Sequence, residues 1–185
     1  MRACICVAAV LALGATTGAA RADDGNEGDA AKPAPESRAL ADVEAGGSVR
    51  GFFGLTSVGF EGAGSLGVER GDRVGGYLRA AYFAGTTAGL RLQTVELAAT
   101  AEAGESRPLH FGGGLEAVYF RLTGPVDPGA IETLGAGLHL VGRYDFLRVD
   151  RHTAFLELRA KLDSLDTFHN PSTFWGLTLV TGLRF

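Results

Sequence analysis

The sequence predicts an all-β fold, an eight-stranded antiparallel up-and-down barrel behind a non-barrel N-terminal segment. Three observations predict it. From Ser48 onward apolar and polar residues alternate with a period of two, as strands with two differently surrounded faces do. Clusters of Gly, Asp, Asn and Pro interrupt that alternation at short intervals, as turns between successive strands do. Both cysteines, Cys4 and Cys6, sit near the start of the 185-residue chain, which leaves the body without a disulfide or a Cys-based metal site.

The N-terminus is read first because it is set apart from the fold. Arg2 is followed by the apolar and small-residue run ACICVAAVLALGATTGA, and Ala20-Arg21-Ala22 fits a small-x-small cleavage site. Residues 1–22 are therefore expected to be a secretory signal peptide. The run is broken by Gly and Thr and falls short of the roughly 20 residues that a spanning helix needs. Residues 23–47 are expected to be a disordered acidic tail, because they lack aromatics and cannot bury enough apolar surface to order themselves. Seven acids and two bases lie in residues 23 to 44, so the body that follows is nearly neutral and gives no electrostatic case for nucleic-acid binding.

The barrel is assigned to residues 48–185, with strands near 48–58, 60–70, 73–85, 88–102, 107–123, 133–149, 152–165 and 172–185. Gly71-Asp72, Ala84-Gly85-Thr86, GESRP, GPVDPG, Asp150-Arg151 and FHNPS supply the turns. The segment LRLQTVELAAT changes phase around Thr94 and Val95, which predicts a bulge there.

Alternation alone leaves open which face is inside. In TAFLELRAKLDS, Ala154, Leu156, Leu158, Ala160 and Leu162 oppose Glu157, Arg159, Lys161 and Asp163, so one face carries no charge. The polar face of the whole barrel holds seven bases, Arg50, Arg79, Arg91, Arg143, Arg159, Lys161 and Arg184. Against them stand seven acids, Glu61, Glu69, Glu96, Glu116, Asp145, Glu157 and Asp163, with His139 among them. Balanced charge suits an enclosed interior, where ions are tolerated only in pairs.

Aromatic placement supports the same facing. Phe111 and Tyr119, and Trp175 and Phe185, are outward pairs whose separations along a tilted strand come to roughly 20 and 25 Å, the height of a lipid-facing apolar band. Tyr82 joins Tyr119 and Trp175 at one rim, while Phe111, Tyr144, Phe146 and Phe185 form the other.

TFWGLTLVTGLRF, residues 173–185, resembles the terminal strand of bacterial outer-membrane barrels, which alternates apolar residues and closes on an aromatic. Leu177, Leu179, Leu183 and Phe185 fit that pattern, and Thr181 departs from it mildly. The resemblance is to the small OmpA, OmpX and opacity-protein type of barrel. It implies an outer-membrane address with both termini periplasmic, lipid as the partner of the apolar face, and insertion by the barrel-assembly machinery through the last strand. A monomer is expected.

Eight strands leave an interior just wide enough for side chains to fill. Phe52, Tyr77, Phe83, Phe120 and Phe174 point inward, which predicts a plugged lumen without an open pore. Among catalytic candidates, His110 and His139 could join Glu116, Arg143 and Asp145 in one polar cluster, but a hydrogen-bonded interior network explains the set without catalysis. His169 and Ser172 faintly resemble the His and Ser of lipid A deacylases, without the His-x-Ser spacing or an acid partner. GAGSLG, residues 62–67, matches G-x-G-x-x-G but lacks a surrounding βαβ unit. The expectation is thus a structural envelope barrel, with no enzyme activity and no cofactor. The alternatives are a lipid-modifying enzyme and a soluble lipocalin-like binding barrel of inverse facing.

Overall fold

The computed structural model describes residues 37–70, 74–106, 108–124, 129–167 and 170–185. The expected signal peptide lies outside the described residues, as do residues 23–36 of the expected tail and His169.

Eight strands follow one another in chain order: β1 Ser37–Phe52, β2 Leu55–Arg70, β3 Val74–Thr87, β4 Leu90–Ser106, β5 Leu109–Thr123, β6 Ala130–Val149, β7 His152–Thr167 and β8 Asn170–Arg184. Each pairs antiparallel with the next, and β1 pairs with β8 from Asp42↔Arg184 to Phe52↔Phe174, closing the barrel. Closure removes both sheet edges, so no row of unpaired backbone donors is left to meet lipid. Every strand has 14 or more residues, against the roughly 9–11 that a bilayer core requires, so both rims extend past an apolar band. The rim that carries Ser37 and Arg184 is called the terminal end below, and the other the opposite end.

The start of the barrel corrects the sequence reading. Strand β1 begins at Ser37, so residues 37–47 are not tail. Leu40, Asp42, Glu44 and Ser48 turn inward and are buried, while Ala39, Val43, Ala45 and Gly47 face out. The alternation is real but its outward members are small, which hides it among acids.

Two hairpin turns are also displaced from their expected places. The first lies at Phe53–Gly54 (φ 47° and 75°) and the second at Ala88–Gly89 (φ 44° and 79°). Consecutive left-handed residues are what a two-residue hairpin demands for its twist to match the strands, and glycine occupies the second position in both. Asp150 (φ 52°) turns the chain between β6 and β7, where the sequence places a turn.

No bulge occurs at Thr94 and Val95, since the register of β4 runs unbroken there against both neighbours. Register shifts lie instead between Ala103 and Ser106 and between Asp145 and Leu147. The apparent phase change has another cause. Leu92 turns inward to an apolar layer while Arg91 and Gln93 face out near the opposite rim, so the usual polarity of the two faces is exchanged.

One glycine illustrates how closely the strands approach. A side chain at Gly114 would fall on the carbonyl of Ala99 in the paired strand β4. Gly114→Ala is expected to cost about 1–3 kcal/mol through the strand displacement it forces, read as a lowered urea midpoint of the folded barrel in detergent.

Candidate functional site in the barrel interior

The interior is built in layers. At the opposite end Phe52, Phe83, Leu92, Val118, Phe120, Leu122, Leu165 and Phe174 form one apolar cluster. Phe120 meets Phe52 edge-on at 5.3 Å and Phe174 at 5.6 Å between ring centroids, so three rings contributed by β1, β5 and β8 cross the lumen.

Charges begin directly beneath. Arg50 is fully buried, with its guanidinium 5.0 Å from the Phe83 ring centroid and 5.9 Å from that of Phe174. It binds Glu61, and it lies 3.1 Å from Glu96. Lys161 is a second hub, with Nζ 2.5 Å from Glu96, 3.4 Å from Glu116 and 3.5 Å from Asp163. Arg79 bridges Glu44 at 3.0 Å and Glu61 at 2.8 Å. Hydroxyls fill remaining acceptor sites: Thr94 donates to Glu96 at 2.7 Å and Thr178 to Glu61 at 3.1 Å. Arg159 turns to Glu157 at 2.9 Å on its own strand.

Toward the terminal end a third group closes the seam. Arg184 of β8 donates two hydrogen bonds to Asp42 of β1, at 2.8 and 2.7 Å, joining the last strand to the first from inside. Arg143 binds Glu102 and stacks over Tyr77 and Phe155, 5.5 and 5.4 Å from their ring centroids.

The structure places Arg50, Glu61, Glu69, Arg79, Glu96, Glu116, His139, Arg143, Glu157, Arg159, Lys161, Asp163 and Arg184 inside and buried, with Asp145 partly so. Arg91 is the exception. It is exposed on the outer face, because its strand keeps a single phase throughout.

The inner charges do not balance. Among the described residues nine acids are buried, Asp42, Glu44, Glu61, Glu69, Glu96, Glu102, Glu116, Glu157 and Asp163, against six bases, Arg50, Arg79, Arg143, Arg159, Lys161 and Arg184. Asp42, Glu44 and Glu102 are the residues that sequence reasoning missed. The first two continue the spacing of Ser48 and Arg50 backward by twos, a signal that the acidic composition masked.

The histidines belong to separate groups. His139 lies 2.9 Å from Thr100 and 3.5 Å from Glu116 in mid-barrel, whereas His110 faces Asp145 at 3.4 Å near the terminal end. Ser172 pairs with Leu165 in the β7–β8 ladder near the opposite rim. Among the described residues no group of three or more His, Cys, Asp or Glu is arranged to hold a metal ion.

The outer face is apolar. Leu138, Leu140, Leu158, Leu162, Leu177 and Leu179 are all exposed, and Leu158 is 49% exposed beside Arg159 at 4%. The expected interface aromatics Tyr82, Phe111, Tyr144, Phe146, Trp175 and Phe185 are exposed as well, with Tyr119 half-buried. A soluble binding barrel needs the reverse arrangement, and the structure excludes that facing.

Closed strands, charge inside and leucine outside define a small eight-stranded barrel of the outer-membrane type. Neisserial surface protein A shares this fold: its crystal structure matches over 80% of this chain and 97% of its own, at 12% identity and a TM-score of 0.56. The N-terminal β-barrel domain of OprF from Pseudomonas aeruginosa is 18% identical over 81% of this chain and all of its own, with a TM-score of 0.47. No family model and no curated protein matches the sequence.

Proposed function

We propose that this chain is a structural barrel of the bacterial outer membrane, without catalytic activity and without an open pore. The observation that carries the reading is the inversion of an ordinary globular protein: titratable side chains fill the interior while leucines cover the outside, and only lipid makes such an exterior favourable. The ring layer of Phe52, Phe120 and Phe174 and the paired charges below it support a plugged lumen. The reading includes export by the leader over residues 1–22, insertion through β8 by the barrel-assembly machinery, a monomeric state and periplasmic termini.

Conductance tests the closed lumen. Refolded protein in a planar bilayer is expected to give no discrete current steps, while Phe120→Ala/Phe174→Ala, which removes two rings of the plug, is expected to raise the open-state frequency. Steps of nanosiemens size from the unaltered chain would refute the plugged reading.

A further inference from the structure

The terminal end carries a feature that an inert plug does not require. A cavity of about 160 Å³ lies there, and arginines reach it from three strands, Arg38 of β1, Arg148 of β6 and Arg184 of β8. Its two acids are Glu69 and Asp145, which leaves the lining with a net charge of +1. Both acids already have a base beside them: Arg38 of the same lining holds Glu69 at 3.2 Å, and His110 and Arg143 approach Asp145 at 3.4 and 3.6 Å. Arg184 is committed to Asp42. Arg148 is exposed and, among the described residues, has no ion-pair partner. The free guanidinium is therefore the group that an incoming ligand meets.

What borders the cavity narrows the ligand. The register shift between Asp145 and Leu147 turns Phe146 and Leu147 outward in succession, 54% and 56% exposed, and Phe146 forms part of the cavity wall. A cationic recess thus opens onto an apolar surface at the level of Tyr144 and Phe185. A ligand that satisfies both halves has an anionic head and a hydrocarbon tail. Arginine suits phosphate because its planar fork donates in pairs, and a cavity of about 150 Å³ takes a six-carbon ring, so a phosphate group fits.

We propose that this recess binds the phosphate of an anionic phospholipid, with Arg148 as the principal contact and the acyl chain lying along Phe146 and Leu147. The inference rests on the membrane-embedded reading above. The site would hold a headgroup of the leaflet at the terminal end.

The test uses the full barrel refolded into phosphatidylcholine vesicles, with Trp175→Phe and Tyr144→Trp placing one fluorophore near the recess. Quenching by brominated phosphatidylglycerol is compared with quenching by brominated phosphatidylcholine. The expected result is a preference for the anionic lipid of about fivefold, the contribution of one arginine near a lipid surface. Arg148→Gln is expected to abolish the preference, and Arg151→Gln, at the exposed hairpin tip, to retain it. Equal quenching by the two lipids would overturn the site while leaving the membrane reading intact. Equal loss in both Arg variants would also overturn it, in favour of diffuse attraction. Quenching by neither lipid would overturn the membrane reading and the site together.

Discussion

Leu158→Arg is expected to stop the barrel from assembling in lipid. Leu158 lies midway along β7, outward and 49% exposed, and its cross-strand partner on β8 is Leu179. An arginine there meets hydrocarbon at mid-depth, at a cost of about 2–4 kcal/mol. Total stabilities run to roughly 5–15 kcal/mol, so the loss is a large share of what is available. The measurement is folding into vesicles along a urea series, followed by the mobility difference between unboiled and boiled samples. Thr56→Arg is the matched control, because Thr56 is exposed beside the first hairpin at the opposite rim, where charge reaches water. Equal folding of the two variants would mean that β7 does not face lipid.

Arg50→Met carries the second large effect. Arg50 has no exposed surface and serves both Glu61 and Glu96. Removing it leaves two buried carboxylates short of a partner in an interior that already holds more acids than bases, and breaking such pairs costs about 3–5 kcal/mol. Arg79 still holds Glu61 and Lys161 still holds Glu96, which places the expected loss near the lower bound. A second change, Glu96→Gln, is expected to restore part of the stability by removing one of the stranded charges. Glu116→Gln alone is expected to cost less than Arg50→Met, because it relieves the acid surplus. The reverse order in urea midpoints would contradict the charge inventory.

The half of the barrel from β5 to β8 is plain in the sequence because its outward residues are large. Leu156, Leu158 and Leu162 set against Glu157, Arg159 and Lys161 give a contrast that only a two-faced strand produces. Strand β1 has no such contrast. Its outward positions are Ala39, Ala41, Val43, Ala45 and Gly47, and the inward Asp42 and Glu44 resemble the acids of the segment before it. The turn at Phe53–Gly54 escapes notice because an aromatic seldom adopts positive φ.

Arg91 exposes a subtler limit. Charge lines the middle of the lumen, which predicts a polar residue inside, yet near the opposite rim the rule inverts: the lumen is filled by Leu92, Val118 and Phe120, and the outer surface leaves the apolar band. The same exchange puts Arg121 and Glu132 outside, 3.3 Å apart. Strand phase persists through such a region while the meaning of polar and apolar changes, so a bulge inferred from polarity alone is unsafe. The candidate site was legible as a set of inward charges, but its grouping around Arg50, Lys161 and Arg184 depends on contacts across the lumen that strand periodicity does not encode.

Spin labels on the barrel assembled in membranes decide whether leucine faces lipid and charge faces inward. No cysteine follows Cys6, so in protein prepared without residues 1–22 single cysteines at Leu156, Leu158, Leu162 and the inward Ala98 are labelled without competition. The three leucine positions are expected to collide freely with dissolved oxygen and to be shielded from an aqueous nickel chelate, while the Ala98 label is immobilised and shielded from both. Nickel access at Leu156, Leu158 and Leu162, with oxygen contact at Ala98, would contradict this facing.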